Sequence, residues 1–358
     1  MSAKQINLAI TGGGTGGHLS IAKSLGVECK NRGFNAVYIG STSGQDKAWF
    51  ESSSIFSETY FLDSTGVVNK RGFGLIKSLL LQIKAVFRAR VILKKHKIDF
   101  VISVGGFSAG GASGAAILSK IPLFIHEQNS TIGTLNKVLA PFAKAVFGSF
   151  PLNLKNFVRT AYPISEIFSQ SARIRNNVGT ILFLGGSQGA VAINDFALQL
   201  APEILKRNIK IIHQCGSGDF ERVKNAYGAL LSQDKITLFA FDKNLSHYIA
   251  QADLCVSRAG ASSLWELVAN CVPCYFVPYP FAAKNHQLTN ALFLKNQGLC
   301  EVVEQRDLSV SAFLDYLDLA DFAKISANLV DFKPKNGAKE ILDLILERCS
   351  KKGIANGC

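Results

Sequence analysis

Short apolar runs alternate along this chain with stretches in which apolar residues recur at helical spacing. A short apolar run bounded by glycine, proline or polar residues is typical of a buried strand. Strands that alternate with helices predict right-handed βαβ units and a parallel sheet, whose functional loops collect at the carboxyl ends of the strands. The predicted strands are 6–10, 36–40, 100–104, 122–125, 180–184, 209–213, 236–239, 252–257 and 273–277.

The pattern is interrupted at Tyr162-Pro163 and then begins a second time. In each half the first strand leads into a glycine loop, at 12–17 and at 185–190, and then into a helix. A chain of 358 residues is also too long for one ordinary core. We therefore predict two Rossmann-like α/β domains with parallel sheets. The predicted limits are 1–163 and 164–335, with a C-terminal helix in 336–358 that packs back on the first domain.

The glycine loops predict binding of an anion. A helix N-terminus presents backbone N–H groups and the positive end of its dipole, and glycine allows close approach. His18 ends the first loop and places a group that titrates near neutrality at the open end of the sheet. A second glycine cluster, 105–111, and the polar tetrad 126–129 follow two further strands at that same edge. We expect these loops to form one site.

Two other motifs match and are rejected. Glycines 12, 14 and 17 satisfy the dinucleotide fingerprint, but a dehydrogenase needs an acidic residue at the end of the second strand, where Gly40-Ser41-Thr42 stands. Gly185-x-Ser187-x-Gly189 satisfies the nucleophile elbow of hydrolases. No histidine follows a convincing acid after it, and a phosphate held by the Ser187 hydroxyl and nearby N–H groups fits better.

The stretch 258–266 is the strongest local signal. Small residues at a helix start expose backbone donors for a diphosphate, with Arg258 beside them. Glu266, one and a half turns into the helix, can accept two hydrogen bonds from a ribose cis-diol. The competing interpretation is a buried Arg258–Glu266 ion pair. Together these features predict a sugar-nucleotide-dependent transferase of the GT-B type. In such an enzyme the sheets of two Rossmann-like halves face each other across a cleft, and the second half binds a nucleotide diphosphate.

The net charge of +13 is unevenly distributed. Residues 64–98 contain no acidic residue, and their basic residues alternate with large apolar ones. A plain amphipathic surface helix explains part of this pattern. Apolar anchors among basic residues also suit an anionic lipid surface, at about 1 kcal/mol per basic residue. We favour the membrane surface over nucleic acid, because the chain has no nucleic-acid-binding motif. The basic residues are Lys70, Arg71, Lys77, Lys84, Arg88, Arg90, Lys94, Lys95 and Lys97.

Other features limit the class of protein. The N-terminus does not resemble a signal peptide, and no apolar run reaches the ~18–20 residues of a spanning helix. The eight cysteines are scattered, and Cys271-x-x-Cys274 lacks a second pair or a histidine cluster that would complete a zinc site. We therefore expect reduced thiols in a cytosolic protein that does not cross a membrane and holds no metal.

Taken together, these motifs resemble a known family. The segments GGGTGGH (12–18), SVGGFSAGG (103–111), HEQN (126–129), GGSQGA (185–190), RAGASSLWE (258–266) and HQLTNA (286–291) appear in its order and spacing. The chain resembles, over nearly its whole length, the MurG family of bacterial peptidoglycan synthesis, in glycosyltransferase family 28. Each segment alone is weak evidence, but the combination is specific.

The resemblance implies an inverting GT-B transferase that needs no cofactor. Such an enzyme moves N-acetylglucosamine from UDP-N-acetylglucosamine to the 4-hydroxyl of the N-acetylmuramyl sugar of undecaprenyl-pyrophosphoryl-N-acetylmuramyl-pentapeptide (lipid I), forming lipid II. It implies peripheral attachment to anionic lipid on the cytoplasmic face of the inner membrane. It also implies a role in cell shape and division, with cell-wall synthesis and division proteins as candidate partners.

The resemblance also assigns roles to residues. Inversion needs a base for the acceptor hydroxyl, and His18 is the candidate by its position, with Glu127 and His126 as alternatives. That His18 only caps its helix also stays open. In the first half, the implied contacts are Thr15, Gly16 and Gly17 with the transferred sugar and its phosphates, and Asn129 with N-acetylglucosamine. In the second half, Ser187 contacts the α-phosphate, the Phe241-Asp242 segment contacts uracil, Glu266 contacts ribose, and Gln287 contacts sugar hydroxyls. The implied contacts with the diphosphate are Ala261, Ser262, Ser263, Leu264 and Trp265.

One position departs from the family pattern. Members often carry, at the domain junction, an arginine two residues after a proline, and that arginine contacts the donor nucleotide. Here the junction reads Tyr162-Pro163-Ile164-Ser165, so Ser165 cannot supply the charge. Either Arg159 or Arg173 compensates, or the contact is absent.

Overall fold

The computed structural model describes residues 5–66, 70–186, 189–333 and 335–350. The chain divides into two compact units. The first comprises Met1–Ile164 and Lys335–Cys358, and the second comprises Ser165–Pro334. Across the described ranges, no helix is both long enough and apolar enough to span a membrane.

The first unit is built on a parallel sheet of seven strands in the order β3-β2-β1-β4-β5-β6-β7. The strands are β1 (Asn7–Thr11), β2 (Asn35–Ser41), β3 (Glu58–Leu62), β4 (Phe100–Ser103), β5 (Leu123–Glu127), β6 (Ala145–Gly148) and β7 (Phe157–Arg159). The helices are α1 (Gly16–Asn31), α2 (Asp46–Phe50), α3 (Gly72–Lys95), α4 (Ala109–Leu118) and α5 (Thr134–Leu139), followed by a 3₁₀ turn at Ala140–Phe142.

The order of the strands places the loops of the predicted site together. Apolar residues of β1, β4 and β5 are buried on both faces, as expected for the centre of a parallel sheet. Thr11 at the end of β1 pairs in register with Ser103 at the end of β4. The loops that follow β1, β4 and β5 therefore leave the same edge of the sheet. The polar tetrad begins within the last residues of β5.

The second unit contains a parallel sheet of six strands in the order β10-β9-β8-β11-β12-β13. The strands are β8 (Thr180–Leu184), β9 (Lys210–Gln214), β10 (Ile236–Phe239), β11 (Leu254–Ser257), β12 (Cys274–Phe276) and β13 (Glu301–Val302). The helices are α6 (Val191–Lys206), α7 (Phe220–Tyr227), α8 (Leu245–Gln251), α9 (Ala261–Ala269), α10 (His286–Lys295), α11 (Val310–Leu319) and α12 (Phe322–Phe332). Short 3₁₀ turns lie at Glu166–Phe168, Gly228–Gln233, Ala283–Asn285 and Gln305–Asp307.

The last helix, α13 (Gly337–Ser350), belongs to the first unit and packs on α1. Its buried face includes Ile341 and Ile345. Arg32 at the end of α1 forms a 2.6 Å ion pair with Asp343, and Glu340 accepts a 2.8 Å hydrogen bond from the Ala161 amide.

The predicted fold class, two Rossmann-like units with parallel sheets in a GT-B-like chain, is confirmed. The nine predicted strands all exist; β8 and β10 have the predicted ends, and the ends of the others differ by at most two residues. Four strands were not predicted: β3, β6, β7 and β13. They are short or lie toward the sheet edges, where half-exposed residues such as those of β3 weaken the apolar pattern.

Candidate active site

The first glycine loop closes against the second glycine cluster. The Gly13 amide donates a 3.1 Å hydrogen bond to the carbonyl oxygen of Gly105. Gly106 has a φ of +77°, and a Cβ there would lie 2.1 Å from the Gly13 carbonyl oxygen. Only glycine permits this approach and this backbone conformation together. The two loops therefore support each other at the ends of β1 and β4.

Asp46, at the start of α2, holds the same loop from the other side. Its side chain is completely buried, and Oδ2 accepts a 2.6 Å hydrogen bond from the Gly14 amide. Two of the amides that the sequence assigned to a bound anion, those of Gly13 and Gly14, are thus engaged within the protein.

His18 lies in the first turn of α1, beside residues of two loops. The Thr15 hydroxyl lies 3.0 Å from Nδ1 of His18, and Nε2 of Gln128 lies 3.2 Å from Nε2 of His18. Thr15 is the N-cap residue of α1, and Gly16 and Gly17 complete the turn before His18. The structure thus brings together Thr15, His18 and the polar tetrad, as the order of strands predicted.

Glu127 closes the loop that follows β5. Its carboxylate is buried and accepts hydrogen bonds from the Asn129 amide at 3.1 Å, the Gly133 amide at 2.9 Å and Nδ2 of Asn136 at 2.8 Å. Burial raises the pKa of Glu127, and these hydrogen bonds oppose that shift. Asn129 is half-buried beside it. The donors around Glu127 indicate a carboxylate that shapes its loop.

His126 is enclosed within the first unit. Its ring is fully buried and packs edge-to-face with Tyr162, with 5.6 Å between ring centroids. Burial, and then the nearby His18, lower the pKa of His126 to about 3. Neither ring nitrogen has a hydrogen-bond partner among the described residues. The imidazole is therefore neutral at pH 7 and shielded from solvent.

In the second unit, the glycine loop after β8 lies close to the end of β9. Gly189 has a φ of +82°, and a Cβ there would lie 2.5 Å from the carbonyl oxygen of Cys215. Helix α6 begins two residues later, at Val191. Ser187, the predicted α-phosphate contact, lies outside the described residues.

The stretch 258–266 folds as the sequence predicted, with α9 beginning at Ala261. Ser262 and Ser263 are half-buried in the first turn, whereas the side chains of Leu264 and Trp265 are buried. The Trp265 ring stacks on Phe332, with centroids 6.0 Å apart and planes at 12°. Leu264 and Trp265 thus use their side chains in the core, so a ligand at this helix end would meet the N–H groups of the first turn.

Glu266 is a buried carboxylate with no partner among the residues that the structure describes. The residue is 8% exposed, and its carboxylate forms no hydrogen bond or ion pair with any described residue, whereas its backbone carbonyl accepts one from the Asn270 amide. Burial raises the pKa of Glu266 to about 8. The alternative interpretation, a buried ion pair with Arg258, is wrong for the described side chains. An unpartnered buried acceptor is costly unless a ligand supplies donors.

Arg258 instead holds the loop after β12. Its Nη1 donates to the carbonyl oxygens of Val277 at 3.0 Å and Pro278 at 3.2 Å, and Nη2 donates to Oε1 of Gln305 at 2.7 Å. Its guanidinium lies 5.5 Å from the centroid of the Tyr279 ring. Burial lowers the pKa of Arg258, although an arginine remains charged at neutral pH.

Gln287, in the first turn of α10, joins this cluster. Its Oε1 accepts a 3.0 Å hydrogen bond from the Tyr279 amide. The two residues before α10, Lys284 and Asn285, both have left-handed backbones, with φ of 53° and 55°. Consecutive non-glycine residues in this conformation store strain, which is typical of functional sites. Arg258, Gln287 and α9 therefore meet at the carboxyl edge of the second sheet.

Asp242 lies in the loop after β10. Its carboxylate accepts hydrogen bonds from the Asn244 amide at 2.8 Å and the Tyr248 hydroxyl at 2.9 Å, and these bonds lower its pKa. The Tyr248 ring stacks on Phe239, with centroids 4.3 Å apart. The side chain is committed to the loop, which leaves backbone groups of this segment for a ligand.

Sequence reasoning missed Asp46 because one carboxylate in a polar loop gives no periodic signal.

At the junction, Arg173 forms a 2.6 Å ion pair with Asp253, so one candidate substitute for the family arginine already has a partner. Arg159 is exposed at the end of β7.

Two Rossmann-like units, each with a glycine loop between its first strand and first helix, give this chain the GT-B fold that many glycosyltransferases share. Two family models match: the glycosyltransferase family 28 N-terminal domain over residues 8–148 and its C-terminal domain over residues 180–341. The chain belongs to glycosyltransferase family 28.

Relatives support this assignment in detail. A Helicobacter hepaticus protein named UDP-N-acetylglucosamine–N-acetylmuramyl-(pentapeptide) pyrophosphoryl-undecaprenol N-acetylglucosamine transferase is 55% identical, covering 94% of this chain and 98% of its own. A Helicobacter pylori J99 protein of the same name is 52% identical, covering 95% and 99%. The crystal structure of Acinetobacter baumannii MurG matches with a TM-score of 0.77 at 27% identity, over 96% of this chain and 99% of that one. A kitacinnamycin glycosyltransferase structure, at 14% identity and a TM-score of 0.70, shares the fold.

Proposed function

We propose that this chain transfers N-acetylglucosamine from UDP-N-acetylglucosamine to the 4-hydroxyl of the N-acetylmuramyl sugar of lipid I, forming lipid II. The main support is the near-full-length identity of 52–55% to relatives that carry the name of this transferase. The reaction inverts the anomeric carbon in one displacement. It requires a group that takes the hydroxyl proton and groups that stabilise charge on the departing diphosphate.

The second unit binds the donor in this proposal. N–H groups at the start of α9, around Ala261, Ser262 and Ser263, receive the diphosphate, and Ser187 takes the α-phosphate. The unpartnered carboxylate of Glu266 accepts hydrogen bonds from the ribose hydroxyls. Support for this assignment comes from its burial and from its lack of any partner among the described residues.

Sugar and base contacts complete the donor site. Gln287 binds sugar hydroxyls, and backbone groups of the Phe241-Asp242 segment bind uracil. The tie between Gln287 and the Tyr279 amide supports this assignment, because it fixes the orientation of the Gln287 side chain. Since its Oε1 already accepts a hydrogen bond, its Nε2 is the group that donates to the sugar.

The first unit supplies the base. His18 takes the proton from the acceptor hydroxyl, while Thr15, Gly16, Gly17 and Asn129 contact the reacting sugars and phosphates. The surroundings of the two alternatives support this choice. Both oxygens of Glu127 are occupied by donors, and the ring of His126 is buried and remote from solvent.

The first unit also lies on the cytoplasmic face of the inner membrane in this proposal. Helix α3 buries Ala85, Ala89 and Ile92 on one side. Its opposite side exposes large apolar residues at spacings of three and four, and basic residues lie between them. This arrangement suits peripheral insertion into an anionic lipid surface. The exposed apolar residues are Phe73, Ile76, Leu79, Leu80, Ile83, Phe87 and Val91.

The deciding experiment measures UDP release from UDP-N-acetylglucosamine, with and without a short-chain lipid I analogue, in wild type and His18→Ala. We expect acceptor-dependent release that falls by about 10²-fold or more in the variant, with donor affinity retained. Release that depends on the acceptor but survives in His18→Ala would keep the transferase and remove His18 as the base.

Two other functions are separated by the same assay. Release that responds to a different lipid-linked or small acceptor, but not to lipid I, would indicate a GT-B transferase with another acceptor. No release with any acceptor, despite tight binding of UDP-N-acetylglucosamine, would indicate a UDP-sugar-binding protein that docks on the membrane. The departure at Ser165 is the only feature that favours the last function.

A further inference from the structure

We infer that Asp46 is a positioning residue for His18 and acts through the peptide unit of Gly14. The carboxylate is completely buried below the first glycine loop. Its Oδ2 accepts a 2.6 Å hydrogen bond from the Gly14 amide, and its Oδ1 accepts a 3.1 Å hydrogen bond from the Ser41 amide at the end of β2. This inference rests on the proposed function, because it takes His18 to be the proton acceptor.

A third donor completes the surroundings of this carboxylate. The Tyr38 hydroxyl lies 3.1 Å from Oδ1 of Asp46 and 2.9 Å from the carbonyl oxygen of Gly12. Tyr38 is itself fully buried, and burial, with Asp46 beside it, raises its pKa well above the ordinary range. The hydroxyl therefore stays protonated, and its single proton is shared between these two acceptors. Asp46 and Tyr38 thus hold both ends of the short segment that contains Gly13.

The neighbouring glycines make room for the carboxylate. A Cβ on Gly13 would lie 2.7 Å from Oδ1 of Asp46, and a Cβ on Gly40 would lie 2.8 Å from the same atom. Real side chains do not approach so closely. The glycine loop and the end of β2 are therefore both shaped around this one acceptor.

The connection to His18 runs through one residue. Thr15 follows Gly14 directly, and the Thr15 hydroxyl lies 3.0 Å from Nδ1 of His18. When Asp46 fixes the Gly14 peptide, it fixes where Thr15 begins α1, and Thr15 in turn orients the imidazole. Misplacement of a reacting group by about 1 Å can lower a rate by roughly 10²-fold.

This arrangement also changes what the glycine loop can bind. Loops of this kind usually direct their amides at a bound phosphate. Here the Gly14 amide is taken by Asp46, and the Gly13 amide is taken by the carbonyl of Gly105. An internal carboxylate occupies the place of the anion at Gly14, so this part of the loop serves as a support for the base.

The test compares Asp46→Asn, which keeps the shape and removes one acceptor, with Asp63→Asn as a matched control. Asp63 is exposed after β3, and among the described residues its side chain accepts a hydrogen bond only from the Thr42 hydroxyl, at 2.9 Å. Each variant is assayed for kcat and for the KM of UDP-N-acetylglucosamine with the short-chain lipid I analogue. The imidazole ¹⁵N resonances of His18, assigned with His18→Ala, are recorded alongside, and the melting temperature reports folding.

In Asp46→Asn we expect kcat to fall by about 10- to 100-fold, the donor KM to stay within about twofold, and the His18 resonances to shift. Asp63→Asn should behave as wild type. If Asp46→Asn fails to fold, Tyr38→Phe provides the same comparison with one donor removed. Unchanged His18 resonances in a folded variant would overturn the inference, whether or not kcat falls. If the resonances shift but His18→Ala is fully active, Asp46 does position His18, but His18 is not the base. Only the assignment of the base in the proposed function then fails.

Discussion

Nη2 of Arg258 donates a 2.7 Å hydrogen bond to Oε1 of Gln305, and its Nη1 donates to the carbonyl oxygens of Val277 and Pro278. An arginine predicted to lie beside a diphosphate is thus fixed by three protein acceptors. The loop that it fixes continues to Tyr279, whose amide donates to Gln287. Arg258 therefore controls the position of a residue that we assign to the transferred sugar.

Replacement of Gln305 by alanine tests this indirect role. The arginine keeps its charge but loses one anchor, so the loop that bears Tyr279 should loosen and Gln287 should lose its orientation. We expect the affinity for UDP-N-acetylglucosamine to fall several-fold, while the affinity for UDP stays close to that of wild type. Isothermal titration with both ligands measures the difference. Arg306→Ala, which removes an exposed neighbouring cation, is the matched control. Equal loss of affinity for both ligands would point to direct contact of Arg258 with the diphosphate.

Glu266 should make donor binding depend on pH. Burial raises the pKa of Glu266 to about 8, so the free protein holds this carboxyl group protonated at pH 7. Only the ionised form accepts hydrogen bonds at both oxygens from the ribose diol. We therefore expect UDP affinity to rise as pH increases from 6 to about 8 and then to level off. Titrations at several pH values test this, and Glu266→Gln should bind weakly with little pH dependence. An equally steep dependence in the glutamine variant would contradict the assignment.

The same residue should affect stability in the opposite direction. Because its pKa is higher in the folded protein than in the unfolded chain, the folded state binds the proton more tightly. The stability of wild type should then decrease as pH rises from about 4.5 to about 8 and remain low above that range. Glu266→Gln removes this loss. Its melting temperature should exceed that of wild type at pH 8.5 and approach it at pH 5, as measured by differential scanning calorimetry without ligand. A constant difference across this range would contradict the raised pKa.

The chain pattern predicted the framework of the site because parallel strands impose it. Apolar runs that end in glycine or polar clusters located the loops after β1, β4 and β5 in the first sheet and after β8 and β11 in the second. Parallel pairing brings such strand ends to one edge within each sheet. His18 and the tetrad 126–129 could therefore be expected to meet, although about 110 residues separate His18 from Gln128. Spacing alone could not rank His18 against His126, because burial distinguishes them and burial depends on packing.

The support of the site could not be predicted in the same way. Asp46 contacts Gly14 across a separation of 32 residues, and nothing in its local sequence marks it as buried. Arg258 and Glu266 illustrate the same limit, since opposite charges eight residues apart suggested an ion pair. The folded chain instead gives Arg258 carbonyl partners, and the Glu266 carboxylate has no partner among the described residues. Such choices depend on long-range contacts that no local pattern records.

The exposed side of α3 gives a prediction for membrane attachment. Ile76→Ser, Leu80→Ser and Phe87→Ser together remove three apolar side chains that are 55%, 55% and 58% exposed, so folding should be little affected. Binding to vesicles that contain anionic lipid should fall sharply, while affinity for UDP-N-acetylglucosamine remains. Co-flotation measures the binding. Salt near 1 M should also weaken attachment of the wild type, because it shortens the Debye length, and with it the range of attraction between the basic residues and the lipid, to about 3 Å.

The matched control for α3 comes from the second unit. Ile167, Ile174 and Leu319 are also exposed apolar residues, and their replacement by serine removes similar surface from the other unit. Flotation of this control should match wild type. If the α3 triple variant and the control triple variant float with the vesicles to the same extent, α3 is not the attachment surface.

Arg175 gives a prediction for stability. Its side chain is completely buried in the second unit, and within the described part of the chain no carboxylate bonds to it. Nε donates to the Ala252 carbonyl at 2.7 Å, and the two terminal nitrogens donate to the backbone and side chain of Asn270 at 2.6 Å and 2.5 Å. Burial lowers the pKa of Arg175 to about 10, so the group remains charged at neutral pH. Its replacement leaves several buried acceptors without donors.

We expect Arg175→Ala to destabilise the second unit by about 3–5 kcal/mol, because several buried acceptors lose their donors. Arg173→Ala, which breaks a partly exposed ion pair with Asp253, should cost about 1 kcal/mol or less. The chain has two tryptophans, and Trp265 lies in the second unit. In a Trp49→Phe background, its fluorescence therefore follows unfolding of that unit alone in urea. A buried carbonyl group without a donor lowers the free energy of unfolding. If the urea midpoint shifts no more for Arg175→Ala than for Arg173→Ala, the acceptors around Arg175 have found other donors.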